Sequence, residues 1–262
     1  MLTDQEFEFL AGCVIGDGCV HSQSKAARHD HQGNPDYKHY DCYVMNFSHT
    51  KKQEFYLRWK AQIVSAILGT KGKVRERVWK TLGKEYPAVE FAAGSNELIP
   101  IYEGLYINQV KTFTPDFLNK LGLIALSLFW MDDGCLSFSY KTGVSGQQLI
   151  KDRSAMLSVC NTKQQCSVVG DWIQSLTGAA YKFVPHKKSG TFYLRWTADD
   201  MRLLVRTLEP YIFPHKEMRY KVDLKYDEPR PVYFSTNPNN QMLVNDWDRL
   251  KDDKTPRAPS IL

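Results

Sequence analysis

Residues 9–18 read FLAGCVIGDG: a short apolar helix pattern from Phe9 to Ile15 that runs out at Asp17-Gly18. A second stretch, ALSLFWMDDG at residues 125–134, has the same form and ends at Asp133-Gly134, 116 positions further on. Leu10, Ala11, Gly12 and Gly16 in one stretch, and Ala125 and Ser127 in the other, are slim enough for two helix backbones to approach closely. Gly18 and Gly134 suit the left-handed cap that turns a helix into a strand. Packed side by side, two such helices would bring Asp17 and Asp133 together at one end.

A single Asp-Gly is an ordinary turn dipeptide and reads as a helix stop or a hairpin. Two copies on matching helices change that reading. At ~5 Å and an effective dielectric of ~20, two carboxylates repel by roughly 3 kcal/mol. A divalent cation turns the repulsion into attraction, and hard oxygen ligands suit Mg²⁺, with Mn²⁺ as a substitute. Paired carboxylates that share metal are what phosphodiester cleavage requires, because the ions activate water and stabilise the leaving oxygen.

The rest of the sequence repeats with the motif. After Asp17, strands are expected at Cys19 to His21 and Tyr40 to Phe47, then a helix over 48–69 with Phe55, Trp59, Ile63, Ile67 and Leu68 at helical spacing. Strands from Gly72 to Trp79 and Glu85 to Ala92, joined by a turn at Thr81-Leu82-Gly83, and a helix from about Asn96 to Tyr106 complete the first half. The second half replays the order: strands from Cys135 and Ser154, a helix carrying Val168, Val169, Trp172, Ile173 and Leu176, a hairpin from Tyr181 to Trp196, and a helix from Asp199. Thr50-Lys51-Lys52-Gln53 is echoed by Thr162-Lys163-Gln164-Gln165 at the start of each middle helix. A tandem duplication is expected, with a first half over 1–111, a linker over 112–122, a second half over 123–225 and a Pro- and Asn-rich extension over 226–262.

At 262 residues, 43% hydrophobic and 24% charged, the chain can hold two modest cores. No apolar run is long enough to span a membrane, and MLTDQEFEFL lacks the basic start of a secretory signal, so an intracellular setting is expected, in an organelle or a bacterial or phage cytoplasm. The six cysteines make no C-x-x-C pair and read as small buried thiols in a reducing compartment. Five of the seven histidines fall between His21 and His49, without the Cys partners a zinc site would favour. A net charge of +5 has the right sign for a nucleic-acid partner.

The two motifs resemble the signatures of a double-motif LAGLIDADG homing endonuclease, and the likeness extends over roughly residues 5 to 222 through the order of elements. Trp130-Met131-Asp132-Asp133-Gly134 is similar to the second motif of the branch that includes intron-encoded enzymes. The resemblance implies an α+β monomer of two pseudo-symmetric αββαββα halves, each with a saddle-shaped antiparallel sheet, joined at the motif helices. It implies site-specific hydrolysis of double-stranded DNA at a long asymmetric target, leaving short 3′ overhangs. The motif's metal-binding acid falls on Asp17 and Asp133, with Gly16 and the neighbouring Asp132 as further metal-site candidates. The family places a lysine of each half beside the scissile phosphate, and Lys111 and Lys221 match those positions. The first motif departs from the consensus at Cys13, Val14 and Ile15.

Readout through a sheet needs polar side chains alternating with core residues along strands. Arg75, Arg77 and Lys80, with Trp79, fit this in the first half, and Lys182, Lys187, Lys188 and Arg195 in the second. His31, Gln32, Lys38 and Gln147 come from polar loops. Two other classes compete with a nuclease: a maturase acting on host intron RNA or a non-cutting DNA-binding protein, and a carboxylate-dyad hydrolase acting on sugars. The last needs an open cleft, which acids on packed helices would not provide.

Overall fold

The computed structural model describes residues 2–24, 41–81, 83–142, 148–186, 190–212 and 214–224. They fall into two units. The first runs through Asp133 and takes in Ser167–Trp172; the second begins at Gly134 and holds the remainder.

Helix α1 (Asp4–Ile15) opens with a capping box in which Thr3 and Glu6 satisfy each other's backbone N–H groups. From Phe9 to Gly16 every residue is buried, because α1 packs lengthwise on α5 (Leu123–Asp133), itself buried from Ala125 to Met131. A Cβ on Gly12 would sit 2.7 Å from Ala125 Cα, so this approach of backbones is open to glycine alone. Gly122, which precedes α5, has no side chain with which to cap it. Glu8 of α1 does the capping: its Oε1 accepts from the backbone N–H of Gly122, Ile124 and Ala125 at 2.9, 2.8 and 3.1 Å.

Beyond α1 come β1 (Cys19–Ser24), β2 (Asp41–Thr50), α2 (Glu54–Ile67), β3 (Lys73–Thr81), β4 (Lys84–Gly94) and α3 (Ile99–Leu105). The strands form one antiparallel sheet in the order β1-β2-β4-β3, with α2 packed on β2 and β4. Met45, Phe47, Val89 and Phe91 fill the core beneath the helix. The buried stripe of α2 is Tyr56, Leu57, Lys60, Ala61 and Val64. That corrects the expected apolar face by one position: Phe55 is exposed, and Trp59, Ile63 and Ile67 flank the stripe.

A short hairpin, β5 (Tyr106–Ile107) with β6 (Val110–Lys111), turns through Asn108 and Gln109 at positive φ. The stretch read as a linker contains the helical turn α4 (Pro115–Leu118), capped by Thr114, with Phe113, Phe117, Leu118 and Leu121 buried. It is packed core.

The second unit holds β7 (Gly134–Thr142), β8 (Gln148–Asn161), β9 (Lys182–Pro185), β10 (Phe192–Thr197) and α7 (Ala198–Ile212). Helix α6 (Lys163–Thr177), capped by Thr162 at its start and by left-handed Gly178 at its end, contributes to both units. The sheet order is β7-β8-β10-β9, and Leu157, Ile173, Leu194, Trp196, Leu204 and Leu208 are buried. The run α1-β1-β2-α2-β3-β4-α3 is thus replayed as α5-β7-β8-α6-β9-β10-α7, with the same strand order in each sheet. The α+β fold of two repeated αββαββα halves is the one expected from the sequence.

Two local expectations are corrected. Neither Gly18 nor Gly134 is left-handed. Helix α5 runs directly into β7 at Gly134, whereas residues 16–18 turn the chain from α1 into β1, and glycine is needed at 18 because a Cβ would collide with the Cys13 carbonyl. Cys13 and Cys166 are buried thiols, but Cys19 and Cys135 are exposed, being the first outward positions of β1 and β7.

Candidate active site

The site forms where α1 and α5 end together. Asp17 lies just past α1, and its side chain is 39% exposed. Its backbone N–H donates to Asp132 Oδ2 at 3.2 Å, so the last turn of α5 holds the residue that follows α1. Asp133 is the next residue along, half-buried. The acids at the matching motif positions are therefore one residue removed from a direct hydrogen bond.

The Asp132 side chain is fully buried. Lys60 Nζ donates to its two oxygens at 2.9 and 3.2 Å, and the Tyr56 hydroxyl donates to Oδ1 at 3.0 Å. Lys60, equally buried, lies 4.7 and 4.6 Å from the ring centres of Phe47 and Tyr56. Burial of both charges is tolerable because each has its partner and the lysine also has aromatic faces. Gly16 makes the room: a Cβ there would stand 2.5 Å from Asp132 Oδ2.

The imidazole of buried His49 lies between the acids, with Nδ1 3.4 Å from Asp17 Oδ2 and Nε2 3.6 Å from Asp132 Oδ1, the latter beyond hydrogen-bond reach. Asp17, His49 and Asp132 each offer one ligand atom, all within 4.8 Å of one another. Burial, then the Asp132 charge, pushes the Tyr56 hydroxyl well above its usual range, so it stays a neutral donor. Burial likewise raises the Cys13 thiol to about 12, which makes it a packing group.

Lys111 and Lys221 take corresponding places. Lys111 Nζ donates to the carbonyls of Val14, Gly16 and Gly18 at 2.7, 3.1 and 2.9 Å, tying down the end of α1. Lys221, buried at the end of the 3₁₀ turn Lys216–Lys221, donates to the Gly134 carbonyl at 2.6 Å. Each lysine thus reaches the glycine that follows a motif acid. Burial lowers the pKa of Lys111, opposed first by the charge of Asp133 and less by Asp17 and Asp132.

On the sheet face away from α2, His21 meets Asn46 at 3.2 Å, and Arg75, Arg77 and Trp79 project from β3. Arg77 pairs with Glu90 of β4 at 2.6 Å, whereas Lys80 alternates to the other face and pairs with Glu85 at 2.8 Å. In the second unit Lys182 and Arg195 are register partners on β9 and β10. His31, Gln32, Lys38, Gln147, Lys187 and Lys188 lie outside the described residues.

Lys60, Tyr56 and His49 were missed in the sequence. Their signal is visible in retrospect: Leu57, Ala61 and Val64 set a helical stripe in which Lys60 is the one charged member.

The protein-family model for the LAGLIDADG DNA endonuclease family matches residues 7–149, more than half of the chain and both motifs. This chain belongs to the LAGLIDADG DNA endonuclease family. Its fold is that of LAGLIDADG homing endonucleases: the structure described as the homing endonuclease I-WcaI bound to its DNA recognition sequence matches with a TM-score of 0.62 at 19% identity, over 85% of this chain and 87% of that one. A mutant of I-SmaMI matches with a TM-score of 0.50 at 12% identity, over 80% and 85%. Among curated proteins, "Protein RecA" of Mycobacterium gastri is 26% identical over 61% of this chain and 33% of that protein. "Protein RecA" of Mycolicibacterium flavescens is 23% identical over 84% and 47%. The chain spans a third to a half of the length of these curated relatives.

Proposed function

We propose that this LAGLIDADG protein is a monomeric, site-specific homing endonuclease that hydrolyses both strands of a long asymmetric DNA target with Mg²⁺, leaving short 3′ overhangs. The observation that carries the reading is the joining of the two motif ends through the Asp17 N–H and Asp132, with the Asp17 carboxylate left partly open.

The donor chemistry fits a hard divalent cation. Asp17 offers a partly exposed carboxylate oxygen within 4.8 Å of ligand atoms of His49 and Asp132, and Asp133 follows Asp132 at the end of α5. Asp17 and Asp133 would hold the metal; bound there, it would supply an activated water and offset charge on the leaving oxygen. The chain's own residues do the rest. Lys111 fixes the turn that carries Asp17 and lies within electrostatic reach of both motif acids. Lys221 does the same for Gly134. Arg75, Arg77, Lys182 and Arg195 would contact the duplex from the two sheets, the guanidiniums suited to guanine edges or phosphate.

The test is cleavage selection on a randomised duplex library, with and without Mg²⁺. Recovery of one long asymmetric sequence cut on both strands only with metal supports the reading; RNA-splicing activity without DNA cleavage would replace it with a maturase.

A further inference from the structure

One motif carries a device that the other lacks. Asp132 precedes Asp133 in the second motif, and the matching position of the first is Gly16, whose missing side chain admits the Asp132 carboxylate. Aligned from Thr50 and Thr162, the counterpart of Lys60 is Trp172, whose indole N–H donates to the Leu121 carbonyl at 3.0 Å. The counterpart of His49 is Asn161. The repeat therefore supplies no second buried ion pair at these positions.

Asp132 lies close enough to Asp17 and His49 to be taken for a third metal ligand. Its bonding argues otherwise. Both oxygens are engaged by Lys60, one also by Tyr56 and the other by the Asp17 N–H, and the side chain has no exposure. A cation could bind there only by displacing Lys60 into a space walled by Phe47 and Tyr56.

We propose that Asp132 is a positioning residue: neutralised by Lys60 and Tyr56, it fixes the Asp17 main chain through the N–H, with His49 seated between the two carboxylates. The role rests on the nuclease reading of Asp17. It also makes the two motif acids unequal, since the counterparts in the repeat, Gly16, Asn161 and Trp172, cannot build the same buried ion pair for Asp133.

The test resolves the strands. A supercoiled plasmid carrying a library-selected target is cut with Mg²⁺ by wild type, Asp132→Asn, and the double variant Lys60→Met/Asp132→Asn. Misplacing one catalytic acid should slow one strand about ten- to hundredfold and the other by less than about threefold, so Asp132→Asn should accumulate nicked circles. The double variant removes the orphaned lysine charge but keeps an amide oxygen for the Asp17 N–H, and should regain balanced cutting. Mn²⁺ binding to the protein–duplex complex, followed by electron paramagnetic resonance, gives a readout apart from activity. Asp17→Asn should weaken Mn²⁺ at least about tenfold and more than Asp132→Asn does, and the double variant should restore what Asp132→Asn loses, the loss of a ligand set against the loss of its support. Equal slowing of both strands, a double variant as unbalanced as the single, or equal Mn²⁺ losses would overturn the positioning role while leaving the nuclease reading intact. A wild-type protein that cuts no selected duplex would overturn both.

Discussion

The backbone N–H of Asp17 donates to Asp132 Oδ2 at 3.2 Å, a bond between residues 115 positions apart. It joins the ends of two helices that the sequence marks as copies of each other. It also shows that the copies are not used identically: the second contributes a buried carboxylate where the first contributes a glycine.

Gly16 is where that difference can be broken with one methyl group. In Gly16→Ala the added Cβ would press on Asp132 Oδ2 and pry it from Lys60. The variant should lose about 1–3 kcal/mol of stability. Urea unfolding monitored by tryptophan fluorescence measures this, and an unchanged midpoint would mean that Asp132 moves aside freely.

Lys60 and Asp132 are a fully buried ion pair. Lys60→Ala should cost about 3–5 kcal/mol, because it strands a buried carboxylate, while Lys60→Met with Asp132→Leu should melt within about 1 kcal/mol of wild type. The paired variant should nevertheless cut poorly, since leucine offers no oxygen to the Asp17 N–H. Good cutting by a stable double variant would assign the pair to packing alone.

Glu8 caps a helix other than its own. Glu8→Ala leaves the Gly122, Ile124 and Ala125 N–H groups without that acceptor and should destabilise by about 1–2 kcal/mol. Glu8→Gln, which keeps an acceptor oxygen, should recover most of the loss in thermal melts.

His215 lies in the turn that leads from α7 to Lys221. Burial lowers its pKa below the usual 6.5, against a smaller upward pull from Glu217. A histidine depressed in the folded state takes up its proton first in the unfolded chain. Its contribution is therefore complete above pH 6.5 and is lost as pH falls through the lower folded value. His215→Gln should flatten the fall of stability with acid in that range, as read from melting temperature against pH.

The repeat, the helix order and the close motif helices were legible because periodicity and small residues report backbone geometry directly. Gly12 opposite Ala125 is the clearest instance. The face of α2 was misjudged because Phe55, Trp59, Ile63 and Ile67 are apolar at the right spacing, yet the neighbouring stripe with Lys60 is the one buried. A buried lysine is invisible to a hydrophobicity pattern until its partner is known, and that partner lies 72 residues away in α5. The same holds for Glu8, a charged residue on a buried helix whose role is set by the neighbour's N-terminus.

Double-strand cleavage of a selected target by Asp17→Asn and Asp133→Asn, with binding measured on the same duplex, tests the central claim most directly. Metal-dependent chemistry at the joined motif ends predicts that each variant binds DNA within about threefold of wild type and makes no double-strand break, the mark of a group needed only for the chemical step. An Asp17→Asn protein that cuts both strands at the wild-type rate would contradict it.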